Sequence, residues 1–286
     1  MAYKRILTIQ DISCVGQCSL TVALPILSAC GHETAILPSA VLSTHTGGFT
    51  GFTFRDLSAD MPAINAHWQK EGLKFEAIYT GYLGSVNQID YVLDIMDTSL
   101  TEDGLRIIDP AMADGGKLYS LFDMTYVEAM KRLCATADYL LPNITEACFL
   151  TGMEYREDYD EAYVNDLITA LHKLGAKTVV LTGVGFHPEQ TGVMISEQGV
   201  LSYYPHRRLN RSCHGTGDVY ASAFTGALMK GLDAYTAAKI AADYVLICME
   251  NTRGDVNHTY GVKFEPVLGT LMDMIRIARK MAARNE

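Results

Sequence analysis

The sequence predicts an α/β fold: a three-layer αβα arrangement with a mostly parallel central sheet and a small flap, as a single domain over residues 1–286. Three observations carry this expectation. Short apolar or β-branched runs alternate with helical stretches along most of the chain, and alternation with short connections means parallel strands crossed over by helices. Polar residues gather just after the apolar runs, where open α/β sheets bind ligands. No internal repeat, low-complexity tract or linker interrupts the series.

Residues 4–10 (KRILTIQ) read as a short buried strand, and 19–30 as a helix stopped by Gly31. Residues 34–38 form the next apolar run, and 47–60 leave room for only a small flap before a helix over 63–70, with Gly72 as its stop. A strand at 75–80 precedes a helix at 89–96, and a strand at 105–108 ends in Asp109-Pro110. A helix at 126–133 leads to a strand at 138–141, closed by Pro142-Asn143, and 146–150 begins another helix. Residues 164–174 form an amphipathic helix stopped by Gly175, and 178–181 a β-branched strand. Residues 193–195 and 200–204, split by Glu197-Gln198-Gly199, read as a hairpin. Only helices follow, at 219–229, 234–250 and 266–283.

Composition bounds the function. With 286 residues, 49% hydrophobic and 20% charged, the chain is ordinary for a globular protein. A chain of this size buries about 75% of its unfolded surface without staples. A net charge of -10 argues against nucleic acid and anionic membrane as partners, although one local pocket can still take an anionic nucleotide. Seven cysteines, an odd number scattered along the chain, fit reduced thiols, and Cys14 and Cys18 lack the second pair a zinc finger needs. No apolar signal core precedes the first strand, and no window reaches the length of a membrane span. The expectation is a cytoplasmic protein.

The run Cys213-His214-Gly215-Thr216-Gly217-Asp218, opening into a helix of small residues, carries the most chemistry. Its glycines let the backbone approach a ligand closely, and the helix behind aims unpaired N–H groups and its positive dipole end at an anion such as phosphate. A carboxylate beside such a pocket suits a hydroxyl that must be oriented and stripped of its proton while it attacks a phosphoryl group. The motif by itself is weak, since a plain tight turn has the same composition. The other strand ends add polar groups: Asp11 and Ser13 after the first, Ser43 to Gly48 after the second, Thr80-Gly81-Tyr82 after the third, Asp109 and Asp114 after the fourth, Asn143 and Glu146 after the fifth, Thr182-Gly183 after the sixth. Any single one reads as a cap or turn former. Six of them on one edge read as a site.

Together these motifs resemble the ribokinase superfamily and, within it, the pyridoxal kinase branch. The resemblance rests on Gly81-Tyr82-Leu83-Gly84-Ser85, on Asp109-Pro110-Ala111-Met112-Ala113-Asp114 with Gly116-Lys117-Leu118-Tyr119, on Pro142-Asn143-Ile144-Thr145-Glu146-Ala147, on Leu42-Ser43-Thr44-His45-Thr46 and on Gly215-Thr216-Gly217-Asp218. It runs over nearly the whole chain. It implies a ribokinase-like fold and ATP-dependent phosphorylation of the 5'-hydroxymethyl group of a vitamin B6 vitamer, pyridoxal, pyridoxine or pyridoxamine. Asp218 would accept the alcohol proton, and Gly215, Thr216 and Gly217 would present amides to the transferring phosphoryl group. Asp114 and Glu146 would reach Mg²⁺, partly through water. Asp109, Asn143, Thr182 and Gly183 would serve the nucleotide, with Arg207, Arg208 and Asn210 in a flap over it. Asp11, His45, Thr46, Gly47 and Tyr82 would contact the vitamer. Family members are commonly homodimers.

Each role has a plainer rival: a helix dipole partner for Asp218 and Glu146, a satisfied loop histidine for His45, a solvated turn for Arg207 and Arg208. Three departures stand out. Asp11 occupies a position where the branch usually has serine, which favours a cationic vitamer or a protonated pyridine nitrogen. Leu141 replaces a threonine hydroxyl that many relatives place near a monovalent cation, so a K⁺ requirement stays open. Cys213 beside His214 invites a nucleophile reading, which phosphoryl transfer does not need. The alternatives are a hydroxymethylpyrimidine or sugar kinase of the same fold, and a sensor that binds vitamin or nucleotide without turnover. Hydroxymethylpyrimidine kinases typically carry cysteine at the position of Asp218, and sugar kinases a larger lid.

Overall fold

The computed structural model describes residues 3–209 and 213–285. In chain order the elements are β1 (Arg5–Ser13), α1 (Leu20–Ala29), β2 (Glu33–Leu42), β3 (Phe54–Asp56), α2 (Met61–Lys70), β4 (Phe75–Thr80), α3 (Val86–Ser99) and β5 (Leu100–Ile108). There follow β6 (Ala113–Asp114), β7 (Lys117–Leu118), α4 (Met124–Cys134), β8 (Tyr139–Leu140), α5 (Ile144–Thr151), α6 (Glu161–Leu174) and β9 (Thr178–Thr182). The chain closes with β10 (Gln190–Glu197), β11 (Val200–Arg207), α7 (Thr216–Leu228), α8 (Ala234–Thr252), a 3-10 turn (Glu265–Val267) and α9 (Leu268–Asn285). It divides into two compact units, Met1–Leu57 with Leu209–Glu286, and Ser58–Arg208. The architecture is mixed α/β on a large, mostly parallel sheet, as the alternation predicts.

In the first unit β1 and β2 run parallel and β3 adds an antiparallel edge to β2, which is the small flap expected from residues 47–60. The β1–β2 register slips between Gln10 and Ile12. The strand therefore continues past residue 10, and Asp11 and Ser13 lie inside it rather than after it, as the sequence had suggested. A bulge of this kind re-aims side chains next to sites without ending the strand. Helix α7 is the core helix of this unit. Every residue from Val219 to Leu228 is buried, because Ala221, Ser222, Ala223, Gly226 and Ala227 let neighbours come close on all sides. A Cβ at Gly226 would lie 2.5 Å from Cys30 Sγ, so the absence of a side chain there leaves room for the Cys30 side chain at the end of α1. Full burial all round a helix marks a core element rather than a surface one.

In the second unit β4, β5, β8 and β9 follow one another in parallel, and β10 and β11 extend the sheet antiparallel through a hairpin. The crossovers all advance in the same direction, and right-handed connections then put their helices on one face. Contacts run in series from α2 to α3, α4, α5 and α6, as that placement requires. A two-residue turn at Gly115 and Gly116, both at positive φ, folds β6 onto β7, a ribbon that the sequence reading did not anticipate. Among the described residues no helix is long and apolar enough to cross a membrane.

Candidate active site

The first unit places Asp218 in the first turn of α7, behind Gly215. Gly215 is at φ 75, and a Cβ there would lie 1.8 Å from the Gln17 carbonyl oxygen, so only glycine fits. Gly215 carries no side-chain cap, and the first-turn amides of Thr216 and Gly217 lie at the dipole's positive end. Asp218 keeps part of its surface accessible. Enough protein surrounds it that desolvation pushes its carboxyl up to about 7; the Ser19 backbone N–H opposes that shift and the charge of Asp11 adds to it. A general base poised near neutrality has this character.

Asp11 is buried, and the Ser13 hydroxyl donates to its Oδ2 at 3.1 Å. Burial raises its carboxyl above the usual range, while hydroxyls of Ser19 and Ser13 work the other way. Ser19 thus serves both acids, its hydroxyl toward Asp11 and its N–H toward Asp218. It does so at φ 51, a strained value for a residue other than glycine. Nothing in its sequence setting singles Ser19 out; the signal is a backbone angle. Burial and both carboxylates push the Cys18 thiol up, which makes it a poor nucleophile.

His45 is buried and fully engaged: Nδ1 accepts the Gly47 N–H at 2.9 Å and Nε2–H donates to the Tyr260 carbonyl at 3.0 Å. Burial lowers its pKa, the Tyr260 bond offsets part of that, and His214 lowers it further. The ring is accordingly neutral, with its tautomer set by its partners. Thr46 is exposed beside it, and Gly47 packs under the His214 ring. These residues, predicted to serve the acceptor, therefore gather in one unit with Asp11 and the start of α7.

In the second unit the carboxyl ends of successive strands are knitted together. The Asp109 N–H donates to Thr80 O at 3.1 Å, Leu141 to Ile108 at 2.9 Å and Thr182 to Pro142 at 2.9 Å. This edge borders a cleft of about 650 Å³, within the usual range for small-molecule sites. Of the residues predicted from sequence, Asp114, Asn143, Thr182, Gly183 and Arg208 line it. Asp109 and Glu146 are buried, and neither they nor Arg207, on β11, appear on the cleft wall. Asn210 lies outside the described residues. Tyr82 belongs to an aromatic cluster, its ring 5.3 Å from that of Phe122.

Sequence reasoning missed the aromatic side of the cleft, Tyr155, Tyr159 and Phe186. The Tyr159 hydroxyl takes the Gly185 N–H at 3.1 Å and reaches Gly183 O at 3.3 Å, which fixes the loop after β9. The Gly183-Val184-Gly185-Phe186 spacing after a strand was the available signal.

Asn143 and Glu146 form a capping box on α5. Asn143 Oδ1 accepts the Glu146 N–H and Glu146 Oε2 accepts the Asn143 N–H, both at 2.9 Å. Glu146 Oε1 also takes the Met112 N–H at 3.1 Å, and Asn143 Nδ2 donates to Ala113 O at 2.9 Å. The plainer rival reading for Glu146 is therefore realised in the geometry, and Asn143 is more tightly tied to its own helix than a free phosphate contact would be. Burial pushes Glu146 well up despite three backbone amides, and the nearby charge of Asp114 adds to the rise. Asp114 is exposed and takes the Gly115 N–H at 2.8 Å. Among the described residues no three His, Cys, Asp or Glu side chains gather into a metal cage. Asp114, exposed on the cleft wall, offers carboxylate oxygens of the kind that suits a hard cation keeping most of its water, as Mg²⁺ does.

The profile of phosphomethylpyrimidine kinase matches residues 27–263. The chain belongs to that family. It falls in the ribokinase superfamily, on the pyridoxal kinase branch, as its motifs suggest. A Bacteroides thetaiotaomicron protein named for phosphomethylpyrimidine kinase, solved with pyridoxal, is 37% identical, with 94% of this chain and 96% of that one covered and a TM-score of 0.90. Pyridoxal kinase from Lactobacillus plantarum is 32% identical, with 96% and 98% covered and a TM-score of 0.88. Hydroxymethylpyrimidine/phosphomethylpyrimidine kinase of Bacillus subtilis is 30% identical over 228 residues, 77% of this chain and 78% of the relative. The fold is the ribokinase-like α/β fold, and the family is one of phosphotransferases.

Proposed function

We propose that the protein transfers the terminal phosphoryl group of ATP to the 5'-hydroxymethyl group of a vitamin B6 vitamer. One observation carries the reading: a carboxylate, Asp218, whose pKa is raised to about 7, in the first turn of a helix whose N-terminal amides lie at the positive end of its dipole. Asp218 takes the proton as the alcohol oxygen attacks, and the amides of Gly215, Thr216 and Gly217 stabilise charge on the transferring group. The cleft of the second unit, with Thr182, Gly183 and Arg208 on its wall, takes the nucleotide. Asp114, with Glu146 through water, would hold Mg²⁺, which neutralises phosphate charge when bound. Asp11 and His45 of the first unit serve the acceptor, and Asp11 favours a cationic vitamer.

A second reading, a hydroxymethylpyrimidine kinase, is favoured by the family description and by the Bacillus subtilis relative. Both acceptors are flat nitrogen heterocycles bearing a hydroxymethyl group. Against it stands Asp218, where such kinases typically carry cysteine.

An ADP-release assay across pyridoxal, pyridoxine, pyridoxamine and hydroxymethylpyrimidine separates the readings. The expected result is turnover with at least one vitamer at a kcat/KM above that for the pyrimidine. Preference for the pyrimidine establishes the second reading, and binding of ATP and acceptor without ADP release establishes a sensor. If Asp11 selects charge, Asp11→Ser lowers kcat/KM for pyridoxamine relative to pyridoxal; an unchanged ratio removes that role.

A further inference from the structure

Two imidazoles in the first unit are packed among three glycines. A Cβ at Gly16, which is at φ 125, would lie 2.0 Å from His45 Cδ2, so the His45 ring rests on the Gly16 backbone. A Cβ at Gly47 would lie 2.7 Å from both Cε1 and Nδ1 of His214, and its three nearest atoms all belong to that ring. The His45 and His214 rings are 5.5 Å apart, tilted by 55°, and Phe49 meets the His45 ring edge-on at 5.4 Å. His214 immediately precedes Gly215, whose own position is pinned on the Gln17 carbonyl. Its ring therefore bears on the loop that starts at His45 while its backbone leads into the helix start that carries Asp218.

We propose that His214 is a positioning residue for the acceptor: its ring, seated on the Cα of Gly47 beside His45, holds the acceptor loop in register with the amides at the start of α7. The proposal rests on the reading of residues 45–47 as the acceptor loop. His45 is satisfied by Gly47 and Tyr260, so it has no free nitrogen with which to hold the loop to the motif. His214, exposed at its edge, does so by packing. It makes no proton transfer and needs no charge.

Kinetics and histidine NMR on His214→Ala, His214→Phe, Gly47→Ala and the double variant His214→Ala/Gly47→Ala test this. With pyridoxal and with hydroxymethylpyrimidine as acceptors, His214→Ala should raise the acceptor KM about tenfold while the ATP KM stays within about twofold. His214→Phe, which keeps a flat ring, should restore most of the acceptor KM. Gly47→Ala should reproduce the His214→Ala defect, and the double variant should be no worse than either single one, since the added methyl then meets no ring. Losses that multiply in the double variant, or equal rises in both KM values, would overturn the proposal.

The NMR readout needs no turnover. The His45 ring signals should move in both His214→Ala and Gly47→Ala, and His45 should titrate higher once His214 is gone, because His214 holds its pKa down. Unmoved His45 signals would show that the rings are not coupled, and would sink the proposal even in an active enzyme. A wild-type protein that phosphorylates neither acceptor, with the NMR shifts as expected, would instead count against the functional reading alone.

Discussion

In the proposed mechanism Asp218 sets how activity responds to pH, and its raised pKa makes stability respond as well. Its carboxyl has an ordinary value of 3.8 and sits at about 7 in the folded chain, chiefly through desolvation. As the proposed base it must be ionised, so kcat/KM should rise with pH through about 7. Asp218→Asn should keep nucleotide affinity, lose at least about a hundredfold in kcat and lose that pH limb. Near-normal turnover in the variant would require another base. Stability runs the other way. A group whose pKa is raised on folding stabilises fully below its unfolded value, and that contribution is lost as pH rises through the folded one. Asp218→Asn should therefore gain stability over the wild type as pH climbs from 4 past 7, with the two converging in acid; a gap that does not change with pH in urea unfolding would refute the shift. Asp218 was legible from the sequence because a carboxylate beside Gly-x-Gly is unusual. Ser19 was not, because its role depends on a positive φ and on having two acids within reach.

Two helix starts, one in each unit, order candidate site residues, each by a different device. At α7 the device is the absence of a Cβ. Gly215→Ala would force an L side chain into positive φ and into the Gln17 carbonyl, so the expected outcome is a loss of about 2 kcal/mol or more in unfolding free energy together with lost turnover. A variant of wild-type stability would mean that the turn relaxes freely. At α5 the device is the capping box, with Asn143 also holding Ala113 next to Asp114. Asn143→Ala removes a cap and a hydrogen bond, for a cost of about 1–3 kcal/mol. The half-saturating Mg²⁺ concentration should rise with it, as Asp114 loses its backing. Loss of stability with unchanged Mg²⁺ dependence would assign Asn143 to the helix alone. The capping pattern was visible in Asn143-Ile144-Thr145-Glu146, but sequence could not say whether Glu146 faces a cation or its own backbone. Four consecutive residues permit both, and burial with amides around the carboxylate settles the geometry.

On the scale of the molecule, a net charge of -10 makes any anionic substrate unwelcome by default. The cleft of the second unit repeats that pattern, with Asp114, Glu157 and Asp158 on its wall against Arg208. A triphosphate entering it, as proposed, would need a divalent counter-ion. ATP affinity measured by calorimetry should fall at least about tenfold when Mg²⁺ is removed with a chelator, and affinity unaffected by chelation would exclude the carboxylates from the nucleotide site. Ligands should also protect different segments from hydrogen exchange. A nucleotide analogue should slow exchange around 155–159 and 182–187, and a vitamer around 11–19 and 45–47. Nucleotide protection absent from the first two segments would remove the cleft from the reading.

The order and type of most strands and helices follow from the sequence alone, because hydrophobic period, caps and glycine stops act over a few neighbouring residues. The identity of the motif residues follows too, since Gly-Thr-Gly-Asp and Asn-x-x-Glu are local patterns. What tertiary structure decided is how those residues are spent: the bulge that keeps Asp11 inside β1, the amides that occupy Glu146, the burial that lifts Asp218, and the glycines that seat the two imidazoles. Each depends on groups far apart in the chain, and their distance and solvation do not exist until the chain has folded.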